Sequence, residues 1–209
     1  ERRARVAQYS DKDPYADPRT GVLRNKLGIT DARALDQAER DITQMRLVEL
    51  NRNPIKGRFD LPHLQAVHHH IFQDVYSWAG QIRTVDVQKK DTYFAHHGYI
   101  ESEANKLFGK LAKEDHLKGT FREQFVDRAA HYLNDANALH PFREGNGRAL
   151  RAYFEQLGRE AGRPLDFSKA SSERTMEAFE RSFFQGSQHL KPYIEDALRA
   201  ADRQQGLGR

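Results

Sequence analysis

One stretch of twelve residues combines side chains that can move a proton, hold a metal ion and bind phosphate. It runs from 140 to 151 and reads His-Pro-Phe-Arg-Glu-Gly-Asn-Gly-Arg-Ala-Leu-Arg. His140 can accept a proton from a hydroxyl, and Glu144 offers the oxygen ligands that magnesium prefers. Arg148 and Arg151 would share one face of a helix, where both could bind a polyphosphate. The stretch therefore predicts a nucleotide-handling site.

The glycines of this stretch predict a loop that leads into a helix. Apolar residues recur at helical spacing over 146–161, and Gly162 follows where a helix would end. The first N–H groups of a helix have no partner within it and lie at the positive end of its dipole. Gly145, Asn146 and Gly147 would therefore present backbone N–H groups to an anion.

Taken one at a time, these residues have ordinary explanations. A lone histidine before proline is most often structural, Gly-Asn-Gly is most often a turn, and two helical arginines are most often a solvated face. The sequence also lacks the Gly-Lys-Ser/Thr of a P-loop, the third glycine of a dinucleotide-binding loop and the His-Arg-Asp of a kinase. Phe142 is expected to pack beneath the loop and take no part in the chemistry.

Position for position, the stretch resembles the core motif of the Fic family, H-x-F-x-(D/E)-G-N-G-R-x-x-R. Enzymes of that family typically transfer AMP from ATP to a Tyr, Thr or Ser hydroxyl of a target protein and release pyrophosphate. The resemblance implies an all-α fold, a Fic-type helical bundle whose motif loop joins two central helices beneath a small β-hairpin flap. It covers residues 10–200 and is strongest in the motif.

The resemblance also implies a role for the charged positions of the motif. His140 would deprotonate the target hydroxyl as it attacks the α-phosphorus. Glu144 would hold Mg²⁺ between the α- and β-phosphates. Arg148 would bind the β-phosphate side, and Arg151 the γ-phosphate. ATP, as substrate, and Mg²⁺ are thus the implied cofactors.

The loop residues would hold the phosphates in the same scheme. Gly145, Asn146 and Gly147 would present their N–H groups to the phosphate oxygens, and the asparagine would add its side-chain amide. Most of the rate would then come from positioning and electrostatics.

Helical periodicity dominates the rest of the chain. Thr30 or Asp31 could cap a helix that runs to residue 50. Further helices are expected over 61–75, 98–115, 120–138, 146–161, 171–185 and 190–202. We expect residues 1–30 to form an N-terminal surface segment, 31–202 the Fic domain and 203–209 a polar tail.

Strand-like alternation interrupts the helices once. It is clear over 81–88 and weaker over 92–95, with a turn expected at 89–91. This hairpin, 82–96, is the expected flap, and its edge could pair with an extended segment of the target. The candidate edge residues are Thr92, Tyr93 and Phe94. The last would be either a hydrophobic clamp on the target or an anchor of the hairpin on the bundle.

Composition narrows the class of protein. The net charge of +4, from 34 Lys+Arg against 30 Asp+Glu, is mild and interspersed, so direct binding of nucleic acid is not expected. With zero cysteines, disulfides are excluded. No apolar run is long enough for a membrane span, and a cytoplasmic location is expected. Because the chain begins with Glu1, it is expected to be part of a longer polypeptide.

The resemblance bears on regulation and targets as well. Some Fic proteins carry an inhibitory [S/T]-x-x-x-E-[G/N] motif, and the only glutamate followed by Gly or Asn here is Glu144 itself. This implies the class in which a small antitoxin supplies the glutamate in trans, with the chain as toxin. The alternative is the Fic domain of a secreted effector, translocated into a host cell. The implied target is a type II topoisomerase subunit in the first case and a small GTPase in the second.

Features of the sequence also suggest three other functions. His68-His69-His70 and His96-His97 suggest a metal site, but consecutive helical residues point about 100° apart and no zinc spacing occurs. A relative that transfers a different phosphate-containing group is disfavoured by the intact Gly-Asn-Gly and Arg151. A nucleotide-dependent binding module is disfavoured because every catalytic position is filled.

Overall fold

The computed structural model describes residues 13–89 and 92–206. Within these ranges it is all-α apart from one small hairpin, as predicted. The helices are α1 (Ala32–Arg52), α2 (Leu61–Phe72), α3 (Ile100–Lys113), α4 (Arg122–Leu139), α5 (Asn146–Glu160), α6 (Ser172–Gln185) and α7 (Lys191–Gly206). The strands are β1 (Gln88–Lys89) and β2 (Thr92–Tyr93).

Side-chain caps set where several helices begin. Asp31 accepts a hydrogen bond from the Ala34 N–H at the start of α1, and Asp60 accepts one from the His63 N–H at the start of α2. The helix ends agree less well with the sequence. The second helix stops at Phe72, before the predicted residue 75. Helix α7 continues to Gly206, into the expected polar tail, while 207–209 lie outside the described residues.

The helices surround α4 and α5, which the motif loop joins. Helix α4 packs against α3, α5, α6 and α7, and α5 also contacts α1 and α2. The larger core lies around α4 and the inner face of α5. A smaller core lies beneath α1 and α2, with Phe72 and Trp78 at its centre. Among the helices described, none has the length and apolar character that a bilayer crossing requires.

The N-terminal segment reaches into the fold. Of the expected surface segment, residues 13–30 are described. Ala16 forms a β-bridge with Leu23. The Asp13 carboxylate accepts hydrogen bonds from Arg143 of the motif loop, with Nε at 3.1 Å, and these side chains are only 4% and 1% exposed. The segment is therefore tied to the candidate site by a buried ion pair.

The hairpin is shorter than its sequence pattern predicts. Its register pairs Gln88 with Tyr93 and Lys89 with Thr92. Residues 81–87 were predicted as strand but form irregular backbone, because Arg83 is drawn into the protein interior and its N–H bonds the Pro141 carbonyl at 2.9 Å. Of the predicted turn, Lys89 belongs to β1, and residues 90–91 lie outside the described residues.

Replacing Asp13 by Asn should destabilise the fold by about 3–5 kcal/mol, because the substitution leaves the Arg143 guanidinium buried without its counter-ion. Urea unfolding measures the change. Asp36→Asn is the matched control: Asp36 pairs with Arg40 at a 68% exposed position, where a loss within about 0.5 kcal/mol is expected. Equal losses in the two variants would contradict a structural role for the Asp13 pair.

Candidate active site

His140 lies where the chain leaves α4. It caps the helix in the left-handed conformation, with φ of 45° and ψ of 61°, a position that turns its side chain away from the helix axis. Its ring is buried, and Nδ1 lies 3.3 Å from the Asn137 carbonyl oxygen. A carbonyl only accepts, so the network assigns the proton to Nδ1 and leaves Nε2 with a free lone pair. This is the tautomer that a general base requires.

The surroundings keep the His140 ring uncharged. Burial holds the pKa of His140 well below its ordinary value, and the positive charges of Lys89 and Arg83 lower it further. The ring is therefore neutral at physiological pH. It can take up a proton during reaction if the developing charge of the substrate offsets the burial.

Arg83 connects the flap to His140. Its side chain is fully buried, and its guanidinium donates to four carbonyls. These belong to His140 at 2.8 Å, Val85 at 2.6 Å, Ala95 at 2.5 Å and Leu139 at 3.3 Å. Two of the acceptors lie on the flap and two at the end of α4. One buried cation thus fixes the flap relative to His140.

The flap contacts the His140 side chain directly. The Phe94 ring stacks on the His140 imidazole with centroids 3.7 Å apart and planes 18° apart. It also meets Phe183 of α6 edge-on at 5.7 Å. Of the other predicted flap residues, Tyr93 is 72% exposed, and Thr92 is half-buried. Phe94 therefore anchors the hairpin on the helical bundle. Any contact of Phe94 with a target protein would use the part of its ring that these contacts leave open.

The motif loop is held in shape by its own asparagine. The Asn146 Oδ1 accepts from the Phe142 N–H at 2.9 Å, and its Nδ2 donates to the Phe142 carbonyl at 2.7 Å. Both amide atoms are thus used within the loop. This differs from the sequence prediction that the Asn146 amide contacts phosphate: only its backbone N–H is left for an anion. Phe142 is fully buried beneath the loop.

His68 supports the loop from below. Its Nδ1 accepts from the Gly80 N–H at 2.9 Å, so its Nε2 carries the proton that lies 2.9 Å from the Glu144 carbonyl oxygen. The ring is stacked on Phe142, with centroids 3.9 Å apart. Burial lowers its pKa to about 3. His68 is thus a neutral structural histidine.

Glu144 remains available to a cation. Burial raises its pKa, but the charges of Lys89 and Arg148 and the Gly145 N–H lower it more, so the net pKa is below the ordinary value. The Gly145 N–H bonds Oε1 at 2.8 Å, and no described residue hydrogen-bonds Oε2. The side chain is 35% exposed. An ionised, accessible carboxylate oxygen beside a helix N-terminus fits a Mg²⁺ ligand.

The two motif glycines differ in why glycine is needed. Gly145 has φ of +81°, and a Cβ there would lie 2.1 Å from the Phe72 ring. At Gly147 a Cβ would meet nothing within 4 Å. No side chain caps α5, so its first N–H groups are open to an anion. The space in front of Gly147 is where a phosphate would lie.

Arg148 is held by helix α1. Its guanidinium donates to the Thr43 hydroxyl at 3.0 Å and to the buried carboxylate of Glu39. Glu39 also accepts from the Tyr76 hydroxyl, and Arg148 lies over the Phe72 ring at 4.7 Å. The first motif arginine is therefore preset by an internal carboxylate.

Arg151 lies one turn further along α5. Its Nε donates to the Gly147 carbonyl at 3.2 Å. With Arg148 it lines a groove of about 770 Å³, between α1, α5 and residues 164–170. His140 and Glu144 do not line this groove. They lie on the loop before α5, and the two arginines lie on α5 itself. The structure thus assembles the predicted motif residues around the start of α5.

Comparison with known proteins shows the family of this chain. The Fic/DOC family model matches residues 58–157. The probable protein adenylyltransferase Fic of Salmonella typhimurium is 40% identical over 191 residues, which cover 91% of this chain and 94% of that protein. The chain belongs to the Fic/DOC family. Protein adenylyltransferase VbhT of Bartonella schoenbuchensis is 42% identical over 201 residues, or 93% of this chain, but the chain spans 42% of that protein's length.

Solved structures confirm the Fic fold. A Fic domain from Bartonella quintana with bound ADP has a TM-score of 0.84 and 29% identity, covering 88% of this chain and 93% of that chain. The BepC protein of Bartonella tribocorum, with bound AMPPNP, has a TM-score of 0.83 and 30% identity, covering 88% and 95%. Both are nucleotide complexes, and BepC is described as a VirB-translocated effector.

Sequence reasoning missed four residues of this Fic site. Asp13, Glu39, Arg83 and His68 contact the motif from outside it. Only the last gave a signal, since it interrupts the apolar face of α2. Arg83 occurred within a strand-like alternation that hid its burial, and the two acids lie in ordinary polar surroundings.

The two motif glycines should respond differently to alanine. Gly145→Ala should destabilise the fold by about 2–4 kcal/mol, because it adds a clash with Phe72 to a left-handed backbone. Gly147→Ala should keep or slightly raise stability, yet weaken ATP binding by filling the phosphate space. Urea unfolding and ATP titration of both variants provide the measurement. If a folded Gly147→Ala protein kept the nucleotide affinity of the parent, phosphate binding in front of Gly147 would be contradicted.

Burial of His68 makes stability depend on pH. The folded pKa is about 3 and the unfolded value about 6.5, so the unfolded state binds more protons as pH falls below about 6.5 and stability is lost. Between about pH 6 and pH 5, the free energy of unfolding should fall less steeply with pH in His68→Gln than in the parent. The difference should be up to about 1.4 kcal/mol per pH unit. Urea unfolding over this range checks the slope. Equal slopes would show that His68 titrates normally.

Proposed function

We propose that this chain transfers AMP from ATP to a Tyr, Thr or Ser hydroxyl of a target protein and releases pyrophosphate. Relatives at about 40% identity are named protein adenylyltransferases, and the chain is such an enzyme by family. The observation that carries the mechanism is the buried, neutral His140 with a free Nε2, at the start of the loop that leads into the open N-terminus of α5.

The chemistry follows from the contacts around the loop. His140 Nε2 takes the proton of the target hydroxyl, whose oxygen then forms a bond to the α-phosphorus while the bond to the β-phosphate oxygen breaks. Helix N–H groups stabilise the charge on the phosphate oxygens. Glu144 would hold Mg²⁺, which supplies charge neutralisation when bound. Arg151 and Arg148 would bind the outer phosphates along the groove.

The Glu39 contact shapes nucleotide binding in this scheme. Arg148 uses one nitrogen on Thr43 and another on Glu39, so its orientation is fixed before ATP arrives. A prepositioned guanidinium loses less side-chain entropy on binding. The remaining N–H groups of Arg148 would meet the β-phosphate.

Regulation and targets extend the proposal. Because the chain lacks the inhibitory motif, a small antitoxin would supply a glutamate in trans, and the chain would act as the toxin in the cytoplasm. The target would be a type II topoisomerase subunit. The alternative, an effector Fic domain that modifies a small GTPase, is supported by likeness to VirB-translocated Bartonella effectors.

Labelled ATP tests the reaction. The chain, Mg²⁺ and ATP labelled at the α-phosphate should mark a protein band in a bacterial lysate, whereas γ-labelled ATP should mark none. His140→Ala should lower the rate by about 10²–10⁴, because the general base is lost. ATP affinity should remain, since no phosphate contact is removed.

His131→Ala is the matched control, because His131 lies on the outer surface of α4 beside Asp135. Its labelling rate should equal that of the parent chain. A band labelled by γ-labelled ATP would show that the chain transfers phosphate and not AMP. Labelling that appears only in a host-cell lysate would favour the effector alternative, and full activity in His140→Ala would refute the general-base role.

A further inference from the structure

A cluster of metal-binding side chains lies at the base of the flap. Asp86, His96 and His97 each offer one ligand atom, and these atoms lie within 4.8 Å of one another. His97 Nδ1 is 2.9 Å from Asp86 Oδ1, and His96 Nε2 is 3.5 Å from Asp86 Oδ2. In the described part of the chain this is the single group of three such side chains.

The sequence argument against a histidine metal site does not apply to this arrangement. His96 and His97 follow β2 and lie outside the α-helices, and the fold brings Asp86 beside them from the other arm. Their rings lie face to face, with centroids 4.4 Å apart. Ligand atoms around tetrahedral Zn²⁺ lie about 3.3–3.6 Å apart, given metal–ligand distances of about 2.0–2.2 Å. The two histidine–carboxylate separations, 2.9 and 3.5 Å, are near that range and involve different oxygens of Asp86.

We propose that Asp86, His96 and His97 bind a Zn²⁺-like transition-metal ion that clasps the two arms of the flap. Two imidazoles and one carboxylate suit Zn²⁺ and related ions, whereas Mg²⁺ prefers an all-oxygen shell. Water would complete the coordination. This inference is independent of the proposed function.

The hydrogen bonds around the cluster favour binding in part. The backbone N–H of His97 donates to Asp86 Oδ1 at 2.8 Å and orients the carboxylate. Two contacts oppose it. The Gly98 N–H bonds His96 Nδ1 at 3.2 Å, a contact that must open because a metal-bound neutral imidazole carries its proton there. The Arg83 guanidinium lies 3.8 Å from Asp86 Oδ1. These contacts predict modest affinity.

The position of the cluster gives the ion a structural consequence. Asp86 precedes β1 by two residues and His96 follows β2 by three, so the ion would close the hairpin at its base. The hairpin has only two residue pairs, and such short hairpins are marginally stable alone. Because Phe94 stacks on His140, a clasped flap would also hold the base in place.

Titration of the tag-free chain with Zn²⁺ in the presence of excess Mg²⁺ tests the site. One Zn²⁺ should bind per chain. His96→Ala should weaken binding at least about tenfold without disturbing the fold, since His96 is 56% exposed, and Asp86→Asn should do the same. Zn²⁺ should also slow tryptic cleavage after Lys89 in the parent chain but not in His96→Ala.

Two controls separate this site from others. His131→Ala removes a surface histidine whose Nε2 lies 3.8 Å from Asp135 but which lacks a third ligand, and it should bind Zn²⁺ as the parent does. Glu144→Gln should also retain binding, which excludes the motif carboxylate as the ligand. Absence of binding to the parent, or unchanged affinity in both His96→Ala and Asp86→Asn, would overturn the proposal.

Discussion

The buried guanidinium of Arg83 connects the flap, the end of α4 and His140, the proposed general base. Four carbonyls from these segments share one cation, and the two buried ones, of His140 and Leu139, would lose this donor without it. A buried unpaired acceptor costs about 1–3 kcal/mol, so the segments are stable together in this one arrangement. The irregular backbone over 81–87 follows from the same constraint, because a regular strand would turn Arg83 away from these carbonyls.

Burial keeps two histidines neutral, His68 beneath the motif loop and His140 within it, and the two have different roles. His68 uses both ring nitrogens on backbone groups, so its tautomer is fixed and it has no free lone pair. His140 uses only Nδ1 and keeps Nε2 free. Desolvation lowers the pKa of both rings, and hydrogen-bond partners decide which one can act as a base. The distinction depends on partners distant in sequence.

Sequence reasoning succeeded where local rules govern the structure. The candidate cap Asp31, together with apolar periodicity, located the helices, and the motif located the loop. It failed where an interaction joins distant segments. Asp13 contacts a residue 130 positions away, and Glu39 one 109 positions away; neither carries a local pattern. The predicted length of the flap strands was wrong for the same reason, because the buried contacts of Arg83 hold residues 81–87 out of a regular strand.

The contacts from α1 and the N-terminal segment show that the motif does not form a site by itself. Arg143 and Arg148 both belong to the motif, and each is neutralised by an acid outside it, Asp13 and Glu39 respectively. Without these carboxylates, two guanidiniums would stand beside a helix N-terminus that is itself positive. The pairing lowers that repulsion and fixes both side chains. Arg151, which also lines the groove, donates instead to the Gly147 carbonyl of its own helix. The balance of charge at the start of α5 therefore depends on Asp13 and Glu39, which lie outside the motif.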